Sequence, residues 1–320
     1  MNTREYLTDW HASREPLLRR STFEAEEIYL TRHIIPYFET VCPELERVTP
    51  VLVKGYTTLK LKGGRMDSKA GGLSLVTVRK HLSVMRQAFD EAVMLGYLER
   101  NPAACVRLPK RTGTLTARTV FLTPEDAQKL LDGITGETIA PAVVLALLYG
   151  LRRSEVLGLC WDAIDFAGNT LTVCRTVVKN LTVQECESTK TDTSRRTFQL
   201  LPEVREMLES LHKSAPPGSR YLFCHPDGSV WRPDCLTRSF QRALRRLGLP
   251  KMRFHDLRHS TASILFARGW SLEDVKNWLG HADIETTSNI YLHYGRTRKV
   301  LLADSLAGMF NIGQYTHKSQ

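Results

Sequence analysis

An unbroken apolar run, Ala142 to Tyr149, lies between Pro141 and Gly150. A helix that is apolar on every side has no face to give to water, so other elements must pack all round it. The run is too short to cross a bilayer, and no stretch of eighteen apolar residues occurs anywhere in the chain. The chain therefore needs a domain large enough to enclose a central helix. The segment after Gly150, Leu151-Arg152-Arg153-Ser154-Glu155, is then carried at the end of a rigid element.

The 320 residues predict two domains at roughly 150 residues each. A hydrophobic content of 42%, with five Trp, eleven Phe and ten Tyr, excludes a wholly disordered chain. Seven cysteines make an odd set with no C-x-x-C pair and no metal-ligand spacing. The first ten residues include acidic side chains and Trp10, and lack a signal-peptide core. These features predict a reduced, cytoplasmic protein without metal or cofactor. The 44 basic residues exceed the 34 acidic ones, a net charge of +10. That excess points to a polyanionic partner, nucleic acid ahead of a membrane surface.

Residues 1 to about 110 read as helical. Ser21 with Glu24 is read as a capping box opening a helix through His33, ended by Pro36. A glycine-rich basic loop comes next, near 61–72. Ser74 then caps a long helix over 75–95, stopped by Gly96. The turn-rich segment NPAACVRLPKRTGT (101–114) marks a boundary, giving domains at 1–110 and 111–320. Beyond it, Thr123 caps a helix with Pro124 in its first turn. Strand character over 171–178 and 195–200 predicts a small antiparallel sheet. Helices are expected near 234–247, 256–268 and 272–279, the last opened by Ser271 with Asp274 and stopped by Gly280, with a further one over 284–294.

Familiar enzyme signatures are missing: there is no P-loop, no G-x-S-x-G and no H-E-x-x-H. The carboxylates are scattered among basic residues, unlike a two-metal nuclease, which favours metal-free chemistry on an anionic substrate. Basic residues instead recur beside apolar helices. Arg152 directly succeeds the buried run, with Glu155 three residues on to orient its guanidinium. In His255-Asp256-Leu257-Arg258-His259, one helical turn brings His255 and Arg258 to the same side. His281 comes just after a helix stop. Tyr291 lies in SNIYLHY, where an electropositive pocket would be needed to ionise a phenol with an ordinary pKa near 10. Taken singly, each has an ordinary structural explanation: a solvated arginine pair, a capping histidine, a core tyrosine. A further cluster, Arg238, Arg242, Arg245 and Arg246 with Lys251 and Arg253, has no acidic residue among it. Positions 238, 242 and 245 share a helix face and form a stripe able to track a DNA backbone.

Taken in order, these segments resemble the tyrosine recombinase (phage integrase) family. YGLRRSE is similar to its first arginine box, HDLRH to its His-x-x-Arg box, and LGH with TTSNIYLH to the closing box that carries the nucleophile. STKTDTSRRTFQL resembles the family's β-hairpin lysine region and points to Lys190. The segments LSLVTVRKHLSVMRQAFDEAV and GYLERNPA look like its helical clamp. The resemblance implies a mainly α fold with a small antiparallel β-sheet: a helical, SAM-like core-binding domain followed by a mixed α/β catalytic domain. It implies Arg152, Lys190, His255, Arg258, His281 and Tyr291 as catalytic residues, with Glu155 supporting Arg152 and no cofactor. Tyr294 is the competing aromatic. The activity implied is site-specific cleavage and rejoining of double-stranded DNA at core sites through a 3′-phosphotyrosine, by a homotetramer on paired sites, with an excision or accessory protein as a further partner. The loop near 61–72 and the ten-residue step from His281 to Tyr291 favour a mobile-element integrase. Xer-like dimer resolution and type IB topoisomerase-like relaxation are the alternatives. LLADSLAGMF (301–310) is apolar enough to pack on a neighbouring protomer or within its own chain.

Overall fold

The computed structural model describes residues 1–66, 70–109, 120–179, 183–186 and 195–280. The chain divides into two compact units, Met1–Thr116 with Asn180–Gln184, and Ala117–Lys179 with Glu185–Gln320.

The first unit contains five helices among the described residues: α1 (Thr3–Ser13), α2 (Arg20–Tyr29), α3 (Ile35–Val41), α4 (Pro50–Lys62) and α5 (Leu75–Met94). Tyr6, Leu7, Trp10, Leu30, Phe38, Tyr56, Met85 and Phe89 form a continuous core. The Ser74 hydroxyl accepts from the Thr77 amide at 3.1 Å, and Gly96 takes a positive φ of 77° just past the end of α5. Both helix signals behave as expected. The box expected at Ser21 does not form: Arg19 holds the cap position of α2, with no side-chain capping bond there, and Glu24 is buried against Arg20. Pro36 does not end the helical path either. A π-helical turn, Leu30–Ile34, leads straight into α3, and Pro36 occupies the first turn of that helix, where its missing N–H costs nothing.

The second unit begins with α6 (Pro124–Gly133), α7 (Ala140–Leu148) and the short α8 (Arg153–Leu157). Strands β1 (Ile164–Asp165), β2 (Thr170–Val173), β3 (Thr176–Lys179), β4 (Val183–Cys186, whose first two residues are counted with the first unit) and β5 (Arg196–Gln199) come next. The described chain ends with α9 (Pro202–Lys213), α10 (Pro233–Arg246), α11 (Asp256–Ala267) and α12 (Leu272–Leu279). β1, β2 and β5 make an antiparallel sheet in that order, with Leu171 opposite Phe198 and Val173 opposite Arg196. The stretch expected as one strand over 171–178 is two. β3 leaves for a separate pair with β4, and the break falls at Cys174-Arg175. There Arg175 is held by a two-point bond to Asp162, at 2.7 and 2.9 Å. The backbone also passes so close to Gly158 that a β-carbon there would sit 2.6 Å from the Arg175 carbonyl. Among the described residues no helix is long and apolar enough to cross a membrane.

The apolar run is the buried α7, as its composition requires, and Tyr149 and Leu151 beyond it are fully enclosed. The last carbonyls of a helix lack intrahelical partners, and a buried helix end needs substitutes. Here they come from later in the chain. The Thr261 hydroxyl donates to the Leu147 carbonyl at 2.6 Å, the Trp278 indole to Leu148 at 3.3 Å, and the Arg258 guanidinium to Gly150 at 2.7 Å. Tyr149 reaches the sheet, donating to the Gln199 carbonyl and accepting from the Leu201 amide. Gly150 makes this junction feasible: its φ is +62°, and a β-carbon would lie 2.2 Å from the Leu279 side chain. Gly150→Ala is expected to destabilise the protein by about 1–3 kcal/mol through overpacking and backbone strain. Urea denaturation measures this, and an unchanged midpoint would contradict the assigned role.

Candidate active site

The turn after α7 places two arginines in different surroundings. Arg153 donates to the Thr237 hydroxyl on α10 at 2.7 Å. Arg152 occupies the cap position of α8, and the buried Glu155 carboxylate folds back onto it. One Glu155 oxygen accepts from the Arg152 amide at 2.8 Å and the other from its guanidinium at 2.6 Å. The capping geometry therefore also fixes the arginine. Arg152 keeps a side-chain exposure of 33%, enough to meet a ligand, while Glu155 has 2%.

Glu155 is gripped from its other side by Arg196, at the start of β5. Both terminal nitrogens of Arg196 donate to the carboxylate, at 3.2 and 2.8 Å. Burial by itself would raise the Glu155 pKa. The hydrogen bonds and charge of Arg196, then the charge and amide of Arg152, outweigh it and hold the carboxyl at about 2.

The first turn of α11 supplies the second half of the site. Arg258 has no exposed surface and is the largest fully buried side chain among the described residues. Burial, then the nearby Arg152 and Arg196, pushes its pKa down, with Glu155 acting in the opposite sense. A guanidinium remains ionised under such pressure. His255, half-buried at the cap position of α11, is pushed down to about 4 by burial, then by His259, Arg258 and Arg152, against Asp256. Its imidazole is thus neutral near pH 7 and able to accept a proton. The His255 and His259 rings meet edge to face with centroids 5.2 Å apart.

The structure thus brings together Arg152, Glu155, His255 and Arg258, four of the residues singled out in the sequence. Lys190, His281, Tyr291, Tyr294 and the segments 284–294 and 301–310 lie outside the described residues. The basic cluster on and after α10 is split. Arg238, Arg242 and Arg245 are exposed, and their bonds stay within their own helix, to Cys235, Ser239 and Gln241. Arg246 is paired with Glu137 and also donates to the Gly133 carbonyl. Arg253 folds back on Asp256, its Nη2 donating at 2.7 Å, and Lys251 is exposed. Sequence reasoning missed Arg196, although it lies in the same strand segment that points to Lys190. The available signal was strand alternation: Arg196 shares a face with the buried Phe198, and an inward-facing arginine needs a buried counterion.

Clustered guanidiniums beside a neutral imidazole, at a buried helix end next to a small antiparallel sheet, have the chemistry to hold an oxyanion such as a phosphodiester. Comparison places the chain more closely. Residues 120–298 match the phage integrase family, and the chain belongs to that family, the tyrosine recombinases. Curated relatives include a XerC-like tyrosine recombinase of Caldanaerobacter subterraneus, 28% identical over 267 residues that span 75% of this chain and 68% of the relative. The ICEBs1 integrase of Bacillus subtilis is 26% identical over 89% of this chain and 77% of its own. Among solved structures, the Tn1549 transposon integrase in complex with a circular intermediate DNA shares the fold with a TM-score of 0.71 and 21% identity, covering 94% of this chain and 99% of that one. A lambda integrase dimer bound to a core site gives 0.65 and 18%, over 91% and 77%. The mainly helical first unit and the sheet-plus-helix second unit match that shared fold.

Glu155→Gln is expected to cost about 3–5 kcal/mol near neutral pH, because it strands buried guanidiniums without their counterion. The native carboxyl titrates at about 2, below the roughly 4.3 of an unfolded chain. Its contribution is complete above the unfolded value and is lost as pH falls toward the folded one. The stability gap between wild type and variant should therefore be widest above about pH 5 and narrow below it. A gap constant down to about pH 3 in denaturant titrations would contradict the pairing.

Proposed function

We propose that this protein cleaves and rejoins double-stranded DNA at specific sites through a covalent 3′-phosphotyrosine, and that it integrates and excises a mobile element. The observation that carries the reading is the gathering of Arg152, Arg258 and a neutral His255 at the buried end of α7, with Glu155 behind Arg152.

In this reading the Tyr291 oxygen attacks the scissile phosphorus in line, a P–O bond to tyrosine forms, and the bond to the 5′-oxygen of the next nucleotide breaks. Charge builds on the nonbridging oxygens. Arg152 and Arg258 neutralise it with preorganised hydrogen bonds, assisted by His281. His255 takes the phenolic proton. The phosphate brings negative charge beside this imidazole and so raises its proton affinity as the reaction begins. Lys190 protonates the departing 5′-oxygen, a general-acid role typically worth about 10²–10⁴ in rate. Rejoining runs the same steps backward from an incoming 5′-hydroxyl. The phosphoester is conserved throughout, so no ATP is consumed and no metal is required. The first unit, residues 1–110 on the sequence reading, serves as the core-binding clamp, and paired sites are bridged by four copies.

The mobile-element role is supported by similarity to the ICEBs1 integrase along most of the chain. Resolution of chromosome or plasmid dimers is the second reading, favoured by the XerC relatives. An assay offering both a plasmid dimer and an element end with its target separates the two.

Tyr291→Phe is expected to abolish SDS-resistant adducts on a nicked suicide duplex while leaving DNA binding intact, in EDTA as in buffer. A normal adduct yield from this variant would transfer the role to Tyr294. On α10, Arg242→Ala or Arg245→Ala should weaken DNA binding with little dependence on sequence, and flatten the salt dependence by about 0.9 per lost phosphate contact. Unchanged slopes would return the stripe to an ordinary solvated face. Arg246 and Arg253, already paired with acidic groups, should contribute less to that slope than Arg238, Arg242 and Arg245.

A further inference from the structure

Arg196 lies in the segment that points to Lys190 and had no role assigned to it there, yet it holds the site's carboxylate with both terminal nitrogens. Glu155 accepts two hydrogen bonds from Arg152 and two from Arg196, so each of its oxygens is held from either side. Arg152 presents one guanidinium nitrogen and its amide. Arg196 presents the forked edge of its guanidinium, with both terminal nitrogens on the carboxylate, the two-point geometry that fixes orientation as well as distance. Arg196 is itself held. Its guanidinium lies 5.3 Å from the Phe198 ring on the same strand face, and its backbone is in register with Val173 of β2. Its side-chain exposure is 8%. The pair joins β5 to the first turn of α8, between residues 41 apart in sequence.

We propose, building on the cleavage reaction assigned to this site, that Arg196 is a positioning residue. It clamps the Glu155 carboxylate from the strand side, and the clamped carboxylate aims Arg152 at the scissile phosphate. Without Arg196, the Glu155 oxygens keep only their bonds to Arg152. The side chain can then turn within its pocket, and Arg152 loses the fixed surface against which it is set. A misplacement of about 1 Å at a reacting group costs on the order of 10² in rate. A lysine at this position supplies charge without the fork and restores only part of the alignment.

A pH profile separates this role from simple structural support. The charged groups facing Glu155 are Arg152 from its own turn, Arg196 from β5 and Arg258 from α11. Without DNA, Glu155 is held at about 2 and His255 at about 4. Bound phosphate raises His255, so the readout is the change that R196Q adds to the wild-type profile. Removing Arg196 takes away the strongest influence opposing burial, so the carboxyl rises and binds a proton at mildly acidic pH. Protonated Glu155 no longer holds the Arg152 guanidinium.

The test is single-turnover cleavage across pH on a suicide duplex selected from a random-sequence library by covalent capture on the wild-type protein. R196Q is expected to cleave about a hundredfold more slowly near neutral pH. It should also gain an acid limb beyond any shown by the wild type, at higher pH than the native Glu155 carboxyl titrates. R196K should show both effects in weaker form, and it keeps the test open if R196Q does not fold. In E155Q/R196Q the acid limb should vanish, because the group that titrates is gone. A pH-independent defect in both R196Q and R196K, or no defect in folded protein, overturns the positioning role. If the wild type captures no DNA at any pH, the cleavage reading itself fails. The Arg196–Glu155 clamp is then judged by stability alone, where R196Q must shift the acid unfolding of the protein upward.

Discussion

Everything at this site hangs on how the buried end of α7 satisfies its carbonyls. A helix that offers no polar face still ends in carbonyl groups that need donors. Thr261 and Trp278 donate to its last carbonyls, and Arg258 donates to the Gly150 carbonyl just past the helix, all from two helices more than a hundred residues later. One requirement of main-chain chemistry therefore fixes three things together. It anchors α11 and α12 against α7, it draws a guanidinium into the interior, and it sets that guanidinium beside the turn that carries Arg152.

Gathering cations in a dry interior is costly, and the protein offsets only part of that cost. Glu155 neutralises one charge where Arg152, Arg196 and Arg258 contribute three. Burial and then His259 lower the proton affinity of His255, with Arg258 and Arg152 adding to the effect. In the proposed reaction, an incoming phosphodiester would supply the missing anion and would contribute most in the transition state, when its charge is greatest. The stability given up to hold such a site open is thus linked to the chemistry it favours. The sheet takes part in the same arrangement, because Tyr149 and Arg196 tie β5 to the end of α7 and to α8.

Much of this was legible in the sequence wherever a local rule decided the outcome. The Ser271–Asp274 capping box and the left-handed Gly280 bound α12 as expected, and Ser74 opens α5. The apolar run announced α7, and the spacing within HDLRH brought His255 and Arg258 to one turn. Local rules failed where a distant partner decides. Ser21 lost its capping role because the backbone enters α2 two residues earlier, at Arg19, and Glu24 is drawn inward to Arg20. Pro36 reads as a stop, yet a π-helical turn ahead of it delivers it to a first-turn position. The strand over 171–178 breaks because Asp162 and Gly158 claim Arg175, and neither partner is visible in a strand pattern. Arg196 escaped notice for the same reason: its meaning lies in a carboxylate on another element.

The account stands most directly on where DNA becomes attached. Wild-type protein trapped on a suicide duplex, digested with nuclease and protease and sequenced by mass spectrometry, should carry its nucleotide remnant on the Tyr291 phenol oxygen. A remnant on Tyr294 or any other side chain, or a folded protein that binds DNA and never acquires one, would contradict the central claim that these guanidiniums are assembled for a phosphate attacked by that tyrosine.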